Sequence, residues 1–329
     1  MKNITSNSLL SKINPLKSYS MSPTLIIVYI LMLAIVGSIN PIFIHLKNFQ
    51  AIATGAPLIG IVAVGLGIVI LTGNVDLSVG SIAGFTGIIV AELLFLTHIP
   101  TIIDVIIGIL AGIAIGAING FVVTYIGVNS VVTTLGMWFS LSGLSFVVAG
   151  KAVNFHNPAL QKIGQGYIFK VIPNIFFIMI LVLVIMYVVL RFTQFGRNIY
   201  LVGSNNSSAR VVGVNVKKVQ FLAFLFSGGL AAFAGILLVS QVSFGSSLFG
   251  IGWEFQALTI CVVGGISLSG GRGTFVGLFL AWIILGSLQN ALTMANIGVN
   301  WRDFFEGSLL ILAIVVDSIS ARTRGLNKS

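Results

Sequence analysis

Ten apolar stretches, separated by short polar intervals, run along the chain. Six fall at about 24–39, 51–72, 75–96, 100–125, 131–150 and 175–190, and four more at 221–240, 254–266, 274–294 and 303–316. Most approach the roughly 20 residues an α-helix needs to cross bilayer hydrocarbon, although 254–266 and 303–316 are short for it. The pattern predicts an all-α polytopic membrane protein of about ten transmembrane helices. One transmembrane domain is expected over 24–318, between tails at 1–23 and 319–329. Lys2, Lys12 and Lys17 ahead of the first apolar run also fit a secretory leader, but the small-residue cleavage pattern is poor and Asn40 and Pro41 follow. The run reads as a retained first span.

The longest polar interval, 191–220, is RFTQFGRNIYLVGSNNSSARVVGVNVKKVQ. It carries five basic residues and no acid, so the positive-inside rule puts it on the cytoplasmic face. Within it, Asn205 or Asn206 caps a short helix over 207–212, and Gly213 supplies the left-handed residue that ends it. A basic face near anionic lipid headgroups would by itself need no further role. With ten spans and both ends inside, 12 of the 17 Lys and Arg lie on the inner side and 5 outside. The outer interval 151–174 holds Lys151, Lys162 and Lys170 with Pro158 and Pro173, and is long enough to meet an external partner.

Composition narrows the class. At 57% hydrophobic and 7% charged residues, with a mean hydropathy of +1.10, the chain is not a water-soluble globule. The net charge of +10 is spread between apolar runs instead of being gathered with stacking aromatics, so topology accounts for it and no nucleic-acid partner is expected. A single cysteine, Cys261, excludes an intramolecular disulfide, and His45, His98 and His156 have no metal-ligand spacing. No metal site and no catalytic residue is assigned. No interval is long enough for a soluble domain, and no phosphate-cradling GxxxxGK[ST] run occurs. If ATP drives transport, another chain hydrolyses it, and this one carries no cofactor.

Three stretches carry candidate chemistry. In TGNVDLSVGS, Thr72, Asn74, Asp76 and Ser78 lie between two apolar runs. A carboxylate at such depth marks a functional site, or else Asp76 caps the next helix at its positive end. In GAINGFVVTYIGVNSVVTTLG, Asn119, Thr133 and Thr134 either meet a neutral polyhydroxylated solute or bond to adjacent helices. GGISLSGGRGTFVG echoes the first stretch: shifted by 191, Gly73 falls on Gly264 and Asp76 on Ser267. Glu306 and Asp317, near the ends of the last span, need only snorkel to the interface.

GRNIYLVGSNNSSARVVGVNVKKVQFLAFLFSGGLAAFAGIL resembles the cytoplasmic loop and following helix of monosaccharide-type ABC transporter permeases. TGNVDLSVGS is similar to that family's GGIDLSVGS signature, with Asn74 in place of the second glycine. GGISLSGGRGTFVG and FFEGSLLILAIVVD look like two further family segments, so the likeness runs from about 51 to 317. Ser130, Val131, Ser142 and Gly143 depart from the family's Pro-Phe and Arg-Gly. The resemblance implies a permease subunit of the bacterial inner membrane. It would import a neutral monosaccharide or small polyol by alternating access, among membrane lipid, paired with a second copy or a related permease. Two ABC ATPase subunits, holding ATP and Mg, would dock inside on Asn205, Asn206, Ala209, Arg210, Gly213 and Val214. A periplasmic or lipid-anchored sugar-binding protein would dock outside. The solute path implied runs past Thr72, Asn74, Asp76, Ser78, Asn119, Thr133 and Thr134. A proton- or ion-coupled carrier working alone is the alternative, and it would need a relay of buried carboxylates. A membrane enzyme lacks any cluster of nucleophile, acid and base.

Overall fold

A computed structural model describes residues 22–323 other than His98 and Lys151. The tails expected at 1–23 and 319–329 lie largely outside the described residues, as do Lys2, Lys12, Lys17, Arg324 and Lys328. The chain enters through α1 (Ser22–Ile39), α2 (Leu46–Gly55) and α3 (Pro57–Leu71). It continues with α4 (Val79–Leu96), α5 (Thr101–Phe121), which runs on into a π turn, α6 (Ser130–Val148), α7 (Pro158–Gln165) and α8 (Asn174–Phe192). Two short helices, α9 (Gln194–Ser204) and α10 (Asn206–Val211), precede α11 (Val216–Val242), α12 (Trp253–Val263), α13 (Phe275–Met294) and α14 (Val299–Thr323).

All ten apolar stretches become helix. Among the described residues six helices are long and apolar enough to cross a membrane, or seven if the bent pair α2 and α3 is one span; α12 and the apolar part of α1 are shorter. The molecule is thus a polytopic helical membrane protein with fewer full-length spans than the pattern suggested. One predicted span, 51–72, is broken: α2 and α3 meet at a 47° bend. Pro57 at the first position of α3 has no N–H to give and its ring crowds the preceding turn. Trp282 of α13 braces the bend by donating its indole N–H to the Ala56 carbonyl at 2.8 Å.

Beyond the bend, α3 is apolar on every side and buried at every position but Ile59, as a helix must be when no face is polar. The 27-residue α11 packs along α5, α3 and α4 and forms the centre of the bundle. Gly112 of α5 and Gly228 of α11 face each other so closely that a Cβ on either would meet the other's carbonyl oxygen. Small residues let two backbones approach where lipid supplies no hydrophobic drive.

Two polar intervals fold further than expected. The stretch 151–174 is not an open loop. Val153–Asn154 pairs antiparallel with Phe244–Gly245, Tyr167–Ile168 pairs with Ile172–Pro173, and α7 lies between. Gln165 and Gln161 donate side-chain N–H groups to the Gln241 carbonyl at 2.8 Å and the Ser243 hydroxyl at 3.1 Å, so this cap is fastened to the end of α11. The interval 191–220 holds a second helix, α9, that periodicity did not reveal, and α11 begins at Val216 rather than near 221.

Candidate functional site

The first signature stretch is a turn between α3 and α4. Gly73 takes φ +83° and ends α3, with the Asn74 N–H reaching back to the Val69 carbonyl at 3.3 Å. Thr72 donates to the same carbonyl at 2.7 Å and accepts from the Asn74 amide at 3.2 Å. Asp76 follows, fully buried. Its Oδ1 accepts from the Ser78 backbone at 3.1 Å and the Ser78 hydroxyl at 2.6 Å, and its Oδ2 accepts from Ser227 of α11 at 2.9 Å. The Ser78 hydroxyl in turn accepts from the Asn119 amide of α5 at 2.8 Å. Ser78, the residue before α4, makes no side-chain cap bond, so Asp76 joins its own turn to α11 instead of capping the helix.

The turn also leaves backbone donors that no helix satisfies, and inside a membrane each unpaired one is costly. The first turn of α6 takes them. Val75 N–H donates to the Ser130 hydroxyl at 3.2 Å, and Leu77 N–H to the Thr134 hydroxyl at 3.0 Å, which itself donates to the Ser130 carbonyl at 2.8 Å. Thr72, Asn74, Asp76, Ser78, Asn119 and Thr134 therefore gather around one break in the helices. Thr133 sits beside Thr134, but its hydroxyl has no protein partner, and neither has the Asn119 Oδ1; both atoms are buried. Sequence reasoning missed Ser130 as an acceptor and Ser227 altogether. The readable signal for Ser227 was a hydroxyl in the middle of the apolar run that became α11.

The echoed stretch forms the same kind of turn at the end of α12. Its left-handed residue is Gly265, also at φ +83°, one position later than the register in which Gly73 falls on Gly264. Here the carboxylate comes from outside the turn. Asp317 of α14 accepts from the Ser267 hydroxyl and the Leu268 N–H, both at 3.2 Å. Asp317 is a tie between elements, not a snorkelling end group. Glu306 likewise accepts from Gln256 of α12 at 3.0 Å.

The two turns touch, with Gly271 N–H donating to the Leu71 carbonyl at 2.9 Å. Gly203 of α9 completes the joint: a Cβ there would run into the Leu71 oxygen and the Gly271 nitrogen. One turn before this contact, Tyr200 is not idle; burial pushes its hydroxyl up to about 12, and it is a neutral donor to the Gly273 carbonyl at 3.1 Å. The short helix α10 hangs from this joint. Asn205 caps it by accepting from Ser208 N–H at 2.8 Å, so α10 starts at Asn206, one residue earlier than predicted. Ala209 is buried and its carbonyl takes the Val214 N–H at 3.0 Å, while Gly213 turns the chain at φ +81° as expected. Arg210 is exposed beside Val211 and Val212, which are 88% and 68% exposed.

Comparison with known proteins fixes what these parts belong to. Residues 48–314 match the family described as branched-chain amino acid transport system permease component. The chain belongs to this family. The permease is 32% identical over 323 residues to the ribose import permease protein of Haemophilus influenzae, covering 97% of this chain and 98% of that one. It is 32% identical over 301 residues to the L-arabinose ABC transporter permease protein of Azospirillum brasilense, covering 91% and 88%. It is also 32% identical over 296 residues to the autoinducer 2 import system permease protein of Photorhabdus luminescens, covering 89% and 88%. No solved structure matches the permease. The resemblance to sugar ABC permeases read from the motifs is borne out, and the permease is a multi-pass protein of the bacterial inner membrane.

Proposed function

We propose that the permease is the membrane-spanning subunit of an ABC importer that moves a neutral monosaccharide or similar small polyol by alternating access. Its relatives are named for ribose, L-arabinose and autoinducer 2, which supports a small polar cargo. The observation that supports the mechanism is the close-packed joint at which Gly203, just ahead of α10, meets the glycine turns that end α3 and α12, with Tyr200 bonded to Gly273 and the two turns bonded to each other. A separate ATPase pair, holding ATP and Mg, grips α10 from the cytoplasm. Asn205, Asn206 and Gly213 shape that helix, Ala209 and Val214 seat it, and Arg210 faces the partner with Val211 and Val212.

When the ATPases close, the push arrives at the turn around Asp76. Thr72, Asn74, Ser78 and Thr134 hold that turn, and the Oδ1 of Asn119 beside it and the Thr133 hydroxyl on α6 are the unpartnered groups that would meet a passing hydroxyl. In this reading the chain makes ten crossings, α1 and the short α12 included, with both termini inside. It pairs with a second copy or a related permease, and a periplasmic or lipid-anchored binding protein delivers the sugar to the outer face. Reconstitution tests it. Proteoliposomes with permease, ATPase and binding protein should accumulate labelled D-ribose or L-arabinose only with ATP; uptake by the permease alone would establish a self-sufficient carrier instead.

A further inference from the structure

A cavity of about 240 Å³ opens beside the bend between α2 and α3, away from the Asp76 turn. Its polar lining comes from Gln256 and Thr259 of α12, Gln289, Asn290 and Thr293 of α13, and Glu306 of α14. Trp282 lines it too. Since its N–H is engaged by the Ala56 carbonyl, what that side chain offers a guest is flat apolar carbon. Glu306 and Gln256 are already aligned by their bond at 3.0 Å, yet the Gln256 Oε1 and the Asn290 Oδ1 are buried with no protein partner. Buried amide oxygens without donors cost about 1–3 kcal/mol each, and a guest bearing hydroxyls would supply the donors.

The lining selects a ligand class. Amides both donate and accept, and a carboxylate accepts from two neighbouring hydroxyls. The charged side chain in the wall is the Glu306 carboxylate, which repels an anion, while Arg302 stands behind the wall and donates to the Thr293 hydroxyl at 2.8 Å. Its volume lies below the usual range of about 300–1,000 Å³ for ligand pockets, which suits one small ring and not a disaccharide. Its position is equally specific. α13 starts next to the glycine joint and reaches Asn290 fifteen residues later, a rise of roughly 22 Å. The cavity and the joint are thus opposite ends of the same rigid helices: α3 and α12 each run from the cavity wall to a glycine turn.

We propose that this cavity, inside a single protomer, is a solute site for one neutral polyhydroxylated molecule of monosaccharide size on the outer half of the transport path, with Gln256, Asn290 and Glu306 as its polar contacts. The proposal rests on the importer reading, and the test separates the two. With the whole reconstituted complex, Asn290→Leu and Gln256→Leu should cut uptake of D-ribose or L-arabinose tenfold or more at saturating binding protein. ATP hydrolysis without binding protein should stay unchanged, and Asn290→Gln, which keeps an amide, should restore uptake. Independently, Asn290→Cys in a Cys261→Ser background should react with a small maleimide, and millimolar sugar should slow that reaction at least threefold. Wild-type complex that carries neither sugar would end the importer reading. Wild-type complex that carries one, with folded leucine variants at full rate or with no protection of the introduced thiol by the carried sugar, would end the cavity proposal.

Discussion

Substituting Gly203 by alanine tests the joint between α9 and the two glycine turns. An added Cβ would meet two backbone atoms, the Leu71 oxygen and the Gly271 nitrogen, which already bond to each other at 2.9 Å. Neither can swing aside as a side chain would. Parting them loses one hydrogen bond, about 1 kcal/mol net, and forcing extra volume into a close-packed contact costs about 1–3 kcal/mol more. Alanine in the helix α9 gives back about 1 kcal/mol of propensity, so the net loss is about 1–3 kcal/mol. The stability of a domain is about 5–15 kcal/mol, so this is measurable as a lower melting temperature of purified permease. In proteoliposomes, sugar uptake per ATP hydrolysed should fall, because the push on α10 no longer reaches α3 and α12 squarely. Gly136→Ala in α6 is the control: no atom lies within 4 Å of the Cβ it adds, and it should be neutral or slightly stabilising. A Gly203→Ala permease with wild-type melting and wild-type coupling would refute the joint, as would equal damage from Gly136→Ala.

Other perturbations have distinct signatures. Asp76→Ala leaves three donors facing nothing, the Ser78 N–H and the Ser78 and Ser227 hydroxyls, and should cost about 3–5 kcal/mol; Ser227→Ala should cost about 1 kcal/mol, both read by thermal unfolding in detergent. Equal effects from the two would show that the carboxyl is not the hub. Trp282→Phe strips the bend of its donor to the Ala56 carbonyl, whose other bond, from Gly60 N–H, is long at 3.4 Å; a loss of about 1 kcal/mol is expected in the same assay. Gly213→Arg adds its side chain into open space but puts a non-glycine residue at φ +81°, a strain of about 1–2 kcal/mol that a bundle of this size tolerates, so expression should hold while uptake fails because the ATPase no longer seats on α10; Gly213→Ala, with the same strain and no bulk, should keep most uptake, and normal uptake by Gly213→Arg would count against docking there.

The sequence by itself determined the class and its punctuation. Apolar runs of bilayer length leave no choice but helices, because every backbone group in hydrocarbon must bond within its own segment. The left-handed Gly213 was legible because a turn of that hand admits few other residues, whereas the same conformation at Gly73 came only with the structure. The polar cluster at Asp76 was legible as a set of residues, since ionisable groups at that depth are rare. Tertiary structure alone decided who bonds whom. Ser227 lies 151 residues from Asp76, and Asp317 holds a turn 50 residues away, distances over which no local period carries information. Helix α9 hid within a polar interval because its identity depends on the buried face it presents to α8, α11 and α3, not on length or hydropathy. The cavity at the bend existed nowhere in the sequence, because Gln256, Asn290 and Glu306 come from three separate helices and meet only once α2 and α3 part at Pro57.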